Sequence, residues 1–248
     1  MIELHHVGTP NGHKVSIMLE EAKIPYQVIL YNLFEGEHLT PEFRKINPNN
    51  KLPVIVDTDP ADGGPPFAVF ETGAILLYLA EKSGKFLPRD TRGRSLALQW
   101  LTWQVAGLGP MHGQAHHFIR YAPGEHSYAV ERYRNEAVRL LYVLDYRLRE
   151  ADYLAGEYSI ADMASWPWVR AARTIDIDLT GFPAVQRWWE QIALRPAVIA
   201  GTGARDLGTP AHYANKKQNL TAEQWSNLFG ERMLAASRPA IRDGADRS

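Results

Sequence analysis

Apolar positions in the first 87 residues follow two rhythms that alternate along the chain. Val15, Met18, Leu19 and Ala22 recur at i, i+3, i+4 and i+7, which gathers them on one side of a helix over Asn11 to Lys23. Four runs rich in β-branched and aromatic residues predict strands at Ile2 to Val7, Tyr26 to Tyr31, Leu52 to Val56 and Phe67 to Phe70. Pro41 to Ile46 reads as a short helical turn that ends before Asn47-Pro48, because a residue ahead of proline avoids the helical region. The Asp, Gly and Pro residues of Asp59 to Pro66 mark a connection. Thr72 to Ser83 reads as a helix stopped by Gly84. The order βαβ-α-ββα predicts a small mixed sheet packed against helices.

The rhythm changes after Pro88-Arg89-Asp90. From Thr91 to about Ala200 the pattern is helical, with no convincing strand. Gly107, Gly109 and Pro110 are expected to bend or break the first long helix. Tyr128 to Leu148 is a second. Ser159 to Asp162 has the form of a capping box at the start of a buried helix, and Phe182 to Leu194 is another helix with Pro183 near its start. This divides the chain into an α/β unit over 1–87, an all-α unit over 91–200 and an extension over 201–248. In the extension, Thr221 to Gln224 is expected to cap a last helix carrying Trp225, Leu228 and Phe229 on one side, and the polar end from Arg238 is expected to fray.

Composition narrows the function classes. With 45% hydrophobic and 22% charged residues among 248, the chain is an ordinary globular one. A net charge of −1 gives no reason to expect nucleic acid. No apolar run approaches the roughly 20 residues of a membrane-spanning helix. The absence of cysteine excludes disulfides, a cysteine nucleophile and thiolate metal sites. With no leader-like pattern at Met1 to His6, the expected compartment is the cytoplasm. The sequon Asn219-Leu220-Thr221 is then a chance match.

Two blocks carry the candidate chemistry. Asn49 to Val56 is a polar loop entering a strand through Pro53, which leaves main-chain groups unpaired for a ligand backbone. Glu71-Thr72 stands at the mouth of a helix whose free N–H groups and positive dipole end suit an anion. Together they suit a small, extended, peptide-like ligand that carries carboxylates. Asn11 serves as the cap of the first helix, as an anion-stabilising amide, or as both. His112 and His116 share one helix face at i, i+4, but no third ligand accompanies them, so no metal site is expected. Trp166, Pro167 and Trp168 read as core, and Asp162 as a structural cap.

An α/β half followed by an all-helical half, with a proline-entered strand and a Glu-Thr helix start, resembles the soluble glutathione transferases over about residues 1–200. Five blocks in order, Thr9 to Lys14, Asn47 to Lys51, Pro60 to Gly64, Ala74 to Lys82 and Gly107 to Met111, are similar to the bacterial nu class. That class is itself similar to the transferase-like domain of a fungal prion-forming nitrogen regulator.

The resemblance implies a thioredoxin-like N-terminal domain and glutathione as co-substrate, reduced or oxidised. It implies glutathione-dependent disulfide reduction, with conjugation to electrophiles or hydroperoxide reduction as alternatives. A glutathione-binding regulatory module is the non-enzymatic alternative. Thr9 and Asn11 would stabilise the glutathione thiolate, since no Tyr, Ser or Cys lies between His5 and Lys14. A cis Leu52–Pro53 bond would present the Leu52 main chain to the cysteinyl portion. Glu71 would hold the γ-glutamyl amino group, Thr72 its carboxylate, and Asn49 or Lys51 the glycine carboxylate. His38 stands where close relatives have Gln. Arg132 would reach a site shared across a homodimer. The helix carrying Trp100, Trp103, Met111, His116, His117 and Phe118 would line the pocket for the second substrate.

Overall fold

The structure is a computed structural model that describes residues 1–203 and 219–238. Four strands, β1 (Ile2–His6), β2 (Tyr26–Leu30), β3 (Val54–Asp57) and β4 (Phe67–Phe70), form one sheet in the order β2-β1-β3-β4. β1 runs parallel to β2 and antiparallel to β3, and β4 is antiparallel to β3. The parallel pair requires a crossover, supplied by α1 (Pro10–Ala22). β3 begins two residues later than the apolar run suggests, at Val54, because Pro53 has no N–H to give to the ladder; the Leu52–Pro53 peptide is cis. α2 (Pro41–Ile46) and α3 (Thr72–Ser83) complete this half, and Gly84 closes α3 at φ 67°.

α1 begins one residue before the apolar periodicity suggests. Thr9 is the cap; its hydroxyl oxygen accepts from Gly12 N–H at 3.2 Å, and Pro10 fills the first helical position. Asn11 is therefore inside the first turn. Gly12 is required here, since a Cβ would stand 2.1 Å from the Val7 carbonyl oxygen. The tight crossing brings the start of α1 against the end of β1.

The helical half contains α4 (Thr91–Trp103), α5 (Gly109–His116), α6 (Ser127–Glu150), α7 (Ile160–Ala172), α8 (Pro183–Ala193) and α9 (Pro196–Gly203). The expected break around Gly107 to Pro110 is instead a wide π-turn over Gln104–Leu108. Proline has no N–H for the helical ladder, and the wider turn carries the chain past Pro110 without ending the helix. α1 packs on α3, α7 and α9, so the two halves share one core through Val15, Met18, Leu79, Ala164 and Val198. Arg195 clamps Glu21 in a two-pronged ion pair that ties the α8–α9 corner to α1.

The extension holds two short helices where one was expected. α10 (Ala222–Leu228), capped reciprocally by Thr221 and Gln224, is followed by α11 (Glu231–Ser237). The end expected to fray lies outside the described residues beyond Arg238. The segment docks on the α/β half: buried Asn227 donates to the Phe34 carbonyl at 2.6 Å, and Asn50 donates to the Ala236 carbonyl at 3.2 Å.

Candidate active site

A cavity of about 530 Å³ opens between the two halves. Its α/β wall is the start of α1 (Thr9, Asn11, His13) together with Leu33, His38, Lys51 and Leu52. Its helical wall is Gly113, His116, Arg120, Pro167, Trp168 and Arg170. Leu228 and Phe229 of the extension complete it.

Asn11 is oriented by the helical half. The Trp168 indole N–H donates to Asn11 Oδ1 at 3.0 Å. An indole nitrogen can only donate, so the atom it meets is the amide oxygen, and the Nδ2 donors are left for a ligand. Thr9 has a matching arrangement: its oxygen accepts from Gly12, so its O–H remains a donor. Both sit at the positive end of α1, whose first-turn amides add to the local field. A sulfur atom placed there meets three sources that stabilise a thiolate over a thiol.

The second helix start is α3. Glu71 is its cap residue with φ 68° and ψ 119°, a conformation that L-residues rarely hold, and its side chain caps no α3 amide. Asn49 Nδ2 donates to Glu71 Oε1 at 3.4 Å, and Asn49 is itself fixed by its N–H to Asn47 Oδ1. Behind Thr72 lies Lys14, 2 % exposed. Its ammonium donates to Thr72 Oγ1 at 3.2 Å and to Gln104 Oε1, in the π-turn, at 2.7 Å. Burial lowers the Lys14 pKa to about 7, against a smaller opposing pull from Glu71. Burial and the nearby Lys51 ammonium bring His38 down to about 4, so its imidazole is neutral at physiological pH.

The structure thus gathers Thr9, Asn11, His38, Lys51 and Leu52 on the cavity wall. Asn49, Glu71 and Thr72 gather at the α3 start, outside that lining, and Pro53 follows Leu52. Arg132 lies on α6, exposed and 3.5 Å from Glu136, outside the cavity lining of this chain. Trp100 and Trp103 are absent from that lining and pack edge-on to each other, whereas His116 belongs to it. His116 Nδ1 is committed to the His112 carbonyl, and no group of three or more metal-ligating side chains occurs among the described residues.

Trp166, Pro167 and Trp168 are buried, as expected of core, and Pro167 and Trp168 also line the cavity. Trp168 is 9 % exposed because it faces a concave wall, and what it presents to that wall is its polar edge. Sequence reasoning also missed Lys14, although it stands in step with Ile17 and Met18 on the apolar side of α1, where a lysine is out of place. Leu228 and Phe229 carried no signal beyond their own helix, because what they cover is distant in sequence.

Residues 9–82 match the family description "Glutathione S-transferase, N-terminal domain", and residues 110–196 match "Glutathione S-transferase, C-terminal domain". Disulfide-bond oxidoreductase YfcG of Escherichia coli (strain K12) is 56% identical over 198 residues, covering 79% of this chain and 92% of YfcG. The transcriptional regulator URE2 of Saccharomyces cerevisiae is 32% identical, covering 78% of this chain and 65% of URE2. Among solved structures, a Pseudomonas putida glutathione transferase with glutathione disulfide bound superposes with a TM-score of 0.77 at 44% identity, covering 81% of this chain and 90% of that one. A Burkholderia graminis glutathione transferase with two glutathione molecules bound per subunit gives 0.76 at 44% identity, covering 81% and 86%. The chain belongs to the glutathione S-transferase family.

Proposed function

We propose that this protein is a glutathione-dependent disulfide reductase of the nu type. The observation that carries the reading is the Trp168–Asn11 hydrogen bond, which commits the amide oxygen and leaves the Nδ2 donors for a thiolate at the cavity wall. The oxidoreductase name of YfcG and the glutathione bound by the Pseudomonas and Burkholderia proteins support it. In this reading Thr9 and Asn11 are the catalytic groups. Glutathione lies with its γ-glutamyl end at Glu71 and Thr72, its cysteinyl main chain along Leu52–Pro53, and its glycine carboxylate at Lys51 or Asn49, with His38 beside Lys51 on the cavity wall.

The chain has no cysteine, so both reacting sulfurs come from ligands. Bound glutathione thiolate attacks one sulfur of the substrate disulfide along the S–S axis. A new S–S bond forms, the old one breaks, and the departing thiolate takes a proton from solvent. A second glutathione resolves the mixed disulfide, giving oxidised glutathione and the second substrate thiol. The protein contributes position and electrostatic stabilisation.

The active form in this reading is a two-fold dimer. α6 presents Tyr128, Tyr142 and Tyr146 to solvent on the same helical side as Arg132, an apolar and cationic stripe suited to a second copy. There Arg132 would grip a ligand carboxylate in the neighbouring site. Sedimentation at micromolar concentration checks this: a monomer would remove Arg132 from the site. No helix among the described residues is long and apolar enough to cross a membrane. The cysteine-free composition fits action in the cytoplasm.

Reduction of 2-hydroxyethyl disulfide by glutathione, measured beside conjugation of chlorodinitrobenzene, tests the reading. High turnover in the first and little in the second is expected. The reverse would make conjugation the main activity. Glutathione binding without turnover of any disulfide, peroxide or electrophile would make the protein a binding module.

A further inference from the structure

Lys14 is a buried amine for which no carboxylate lies within ion-pair distance among the described residues. Its two acceptors, Thr72 Oγ1 and Gln104 Oε1, are neutral. Taking an ammonium out of water without a counter-charge is costly, so such groups lose their proton or wait for an anion. The hydroxyl that Lys14 supports belongs to the first residue of α3, whose amides the Glu71 side chain leaves uncapped and where an incoming carboxylate would bind. We propose that Lys14 is a positioning residue for the γ-glutamyl carboxylate of glutathione, taking a proton from solvent as that carboxylate docks at Thr72 and so making binding of the tripeptide proton-coupled.

The proposal rests on the glutathione reading of the cavity. Its electrostatics are simple. In the empty site burial without a counter-charge brings the lysine pKa down to about 7, so a substantial share of the molecules lack the charge at pH 7.5. A carboxylate one hydroxyl away raises that pKa, and most of those molecules take up a proton. Glu71, at the α3 cap, is the charged group that bears on Lys14 in the empty site. α9 has no titratable side chain, and on α7 Asp162 is committed to Leu154, Ser159 and Trp188, while Arg170 lines the cavity. His13, next to Lys14 on α1, and His38 and His116 also line the cavity. Reduced glutathione releases its thiol proton as the thiolate forms, so Lys14 would offset part of that release.

The test separates the two protons by using S-methylglutathione, which has no thiol. Calorimetric titration into wild-type protein at pH 7.5, in phosphate and in Tris, reads proton exchange from the difference in heat between the buffers. Uptake of roughly half a proton or more per site is expected. It should vanish in Lys14→Met, persist in His38→Asn, and be accompanied by roughly tenfold weaker binding in Lys14→Met. Lys14→Met removes a buried amine but also strands Gln104 Oε1, so some loss of melting temperature is expected, and the buffer-dependent heat, which a merely structural role would not move, distinguishes a ligand role. Binding by wild type without proton uptake, or uptake that survives in Lys14→Met, would overturn the proposal and leave the glutathione reading intact. No binding by folded wild type would remove both.

Discussion

Two helix starts in this molecule are built from the same kind of sequence and finished in opposite ways. At α7 every donor is closed. Ser159 Oγ accepts from Ala161 N–H, and Asp162, fully buried, accepts from the Ser159 and Leu154 amides, the Ser159 hydroxyl and the Trp188 indole at 2.9 to 3.1 Å. At α3 the cap residue Glu71 is held in a sparsely populated conformation and its side chain caps nothing. α7 has an anion locked into the helix start; α3 has an open start with a buried ammonium behind it. A helix N-terminus offers the same free amides in either case. The closed start converts them into fold stability; under the proposed function, the open one keeps them for glutathione.

The largest expected effect follows from unlocking α7. Burial pushes the Asp162 carboxyl up to about 6 even with four donors opposing, so it is still ionised at neutral pH. Asp162→Ala strands those four donors and should cost about 3–5 kcal/mol, or on the order of 10 °C in melting temperature. Glutathione affinity in the protein that remains folded should be unchanged. A parallel loss of affinity at normal stability would mean that the closed start also serves the ligand. Next is Asn11→Ala. Turnover should fall roughly 10- to 100-fold, with glutathione affinity within about threefold, since in the proposed mechanism the amide acts on the thiolate more than on the tripeptide. A near wild-type rate would remove Asn11 from the mechanism.

What could be read from the sequence follows the same division. The α7 start was legible because a capping box is local: Ser159 and Asp162 are three residues apart and satisfy each other. The strands, α3 and its Gly84 stop were legible for similar reasons, since periodicity and turn residues act over a few positions. The start of α1 was misplaced by one residue because Thr9 and Asn11 are both good caps, and Pro10 between them decides for Thr9 by fixing the first helical φ. The cavity was less legible because its walls come from distant segments. Trp168 meets Asn11 across 157 residues and Lys14 meets Gln104 across 90. Neither contact leaves a trace in local spacing.

Glu71→Gly sharpens the comparison from the open side. Glycine adopts φ 68° without steric penalty, so relief of backbone strain should leave stability unchanged or raise it by up to about 1 kcal/mol. Loss of the carboxylate should weaken glutathione binding by about tenfold. Chemical denaturation and calorimetry on the same preparation measure both. A variant that is less stable and binds normally would make Glu71 a structural cap like Ser159.

The smallest effect concerns α10, which breaks the simple pairing of closed with structural and open with functional. Thr221 and Gln224 close its start reciprocally, as Ser159 and Asp162 close α7. Yet Phe229, one residue past its end, lines the cavity. Its ring meets His117 at 4.6 Å and Trp225 at 5.0 Å between centroids, and Asn227 anchors the segment to Phe34. A closed start here fixes where a helix delivers its far end to the cavity wall. Phe229→Ala keeps the cap and the Asn227 anchor, so the melting temperature should move by no more than about 3 °C, in keeping with a ring 42% exposed. Glutathione affinity should hold, because the α/β wall is untouched. The KM should shift two- to fivefold or so between small and bulky disulfides, as expected when one apolar wall of a substrate pocket is cut back. If the ratio of kcat/KM values for the two substrates stays fixed, the extension covers the pocket without selecting what enters it, and the division between closed and open starts stands without exception.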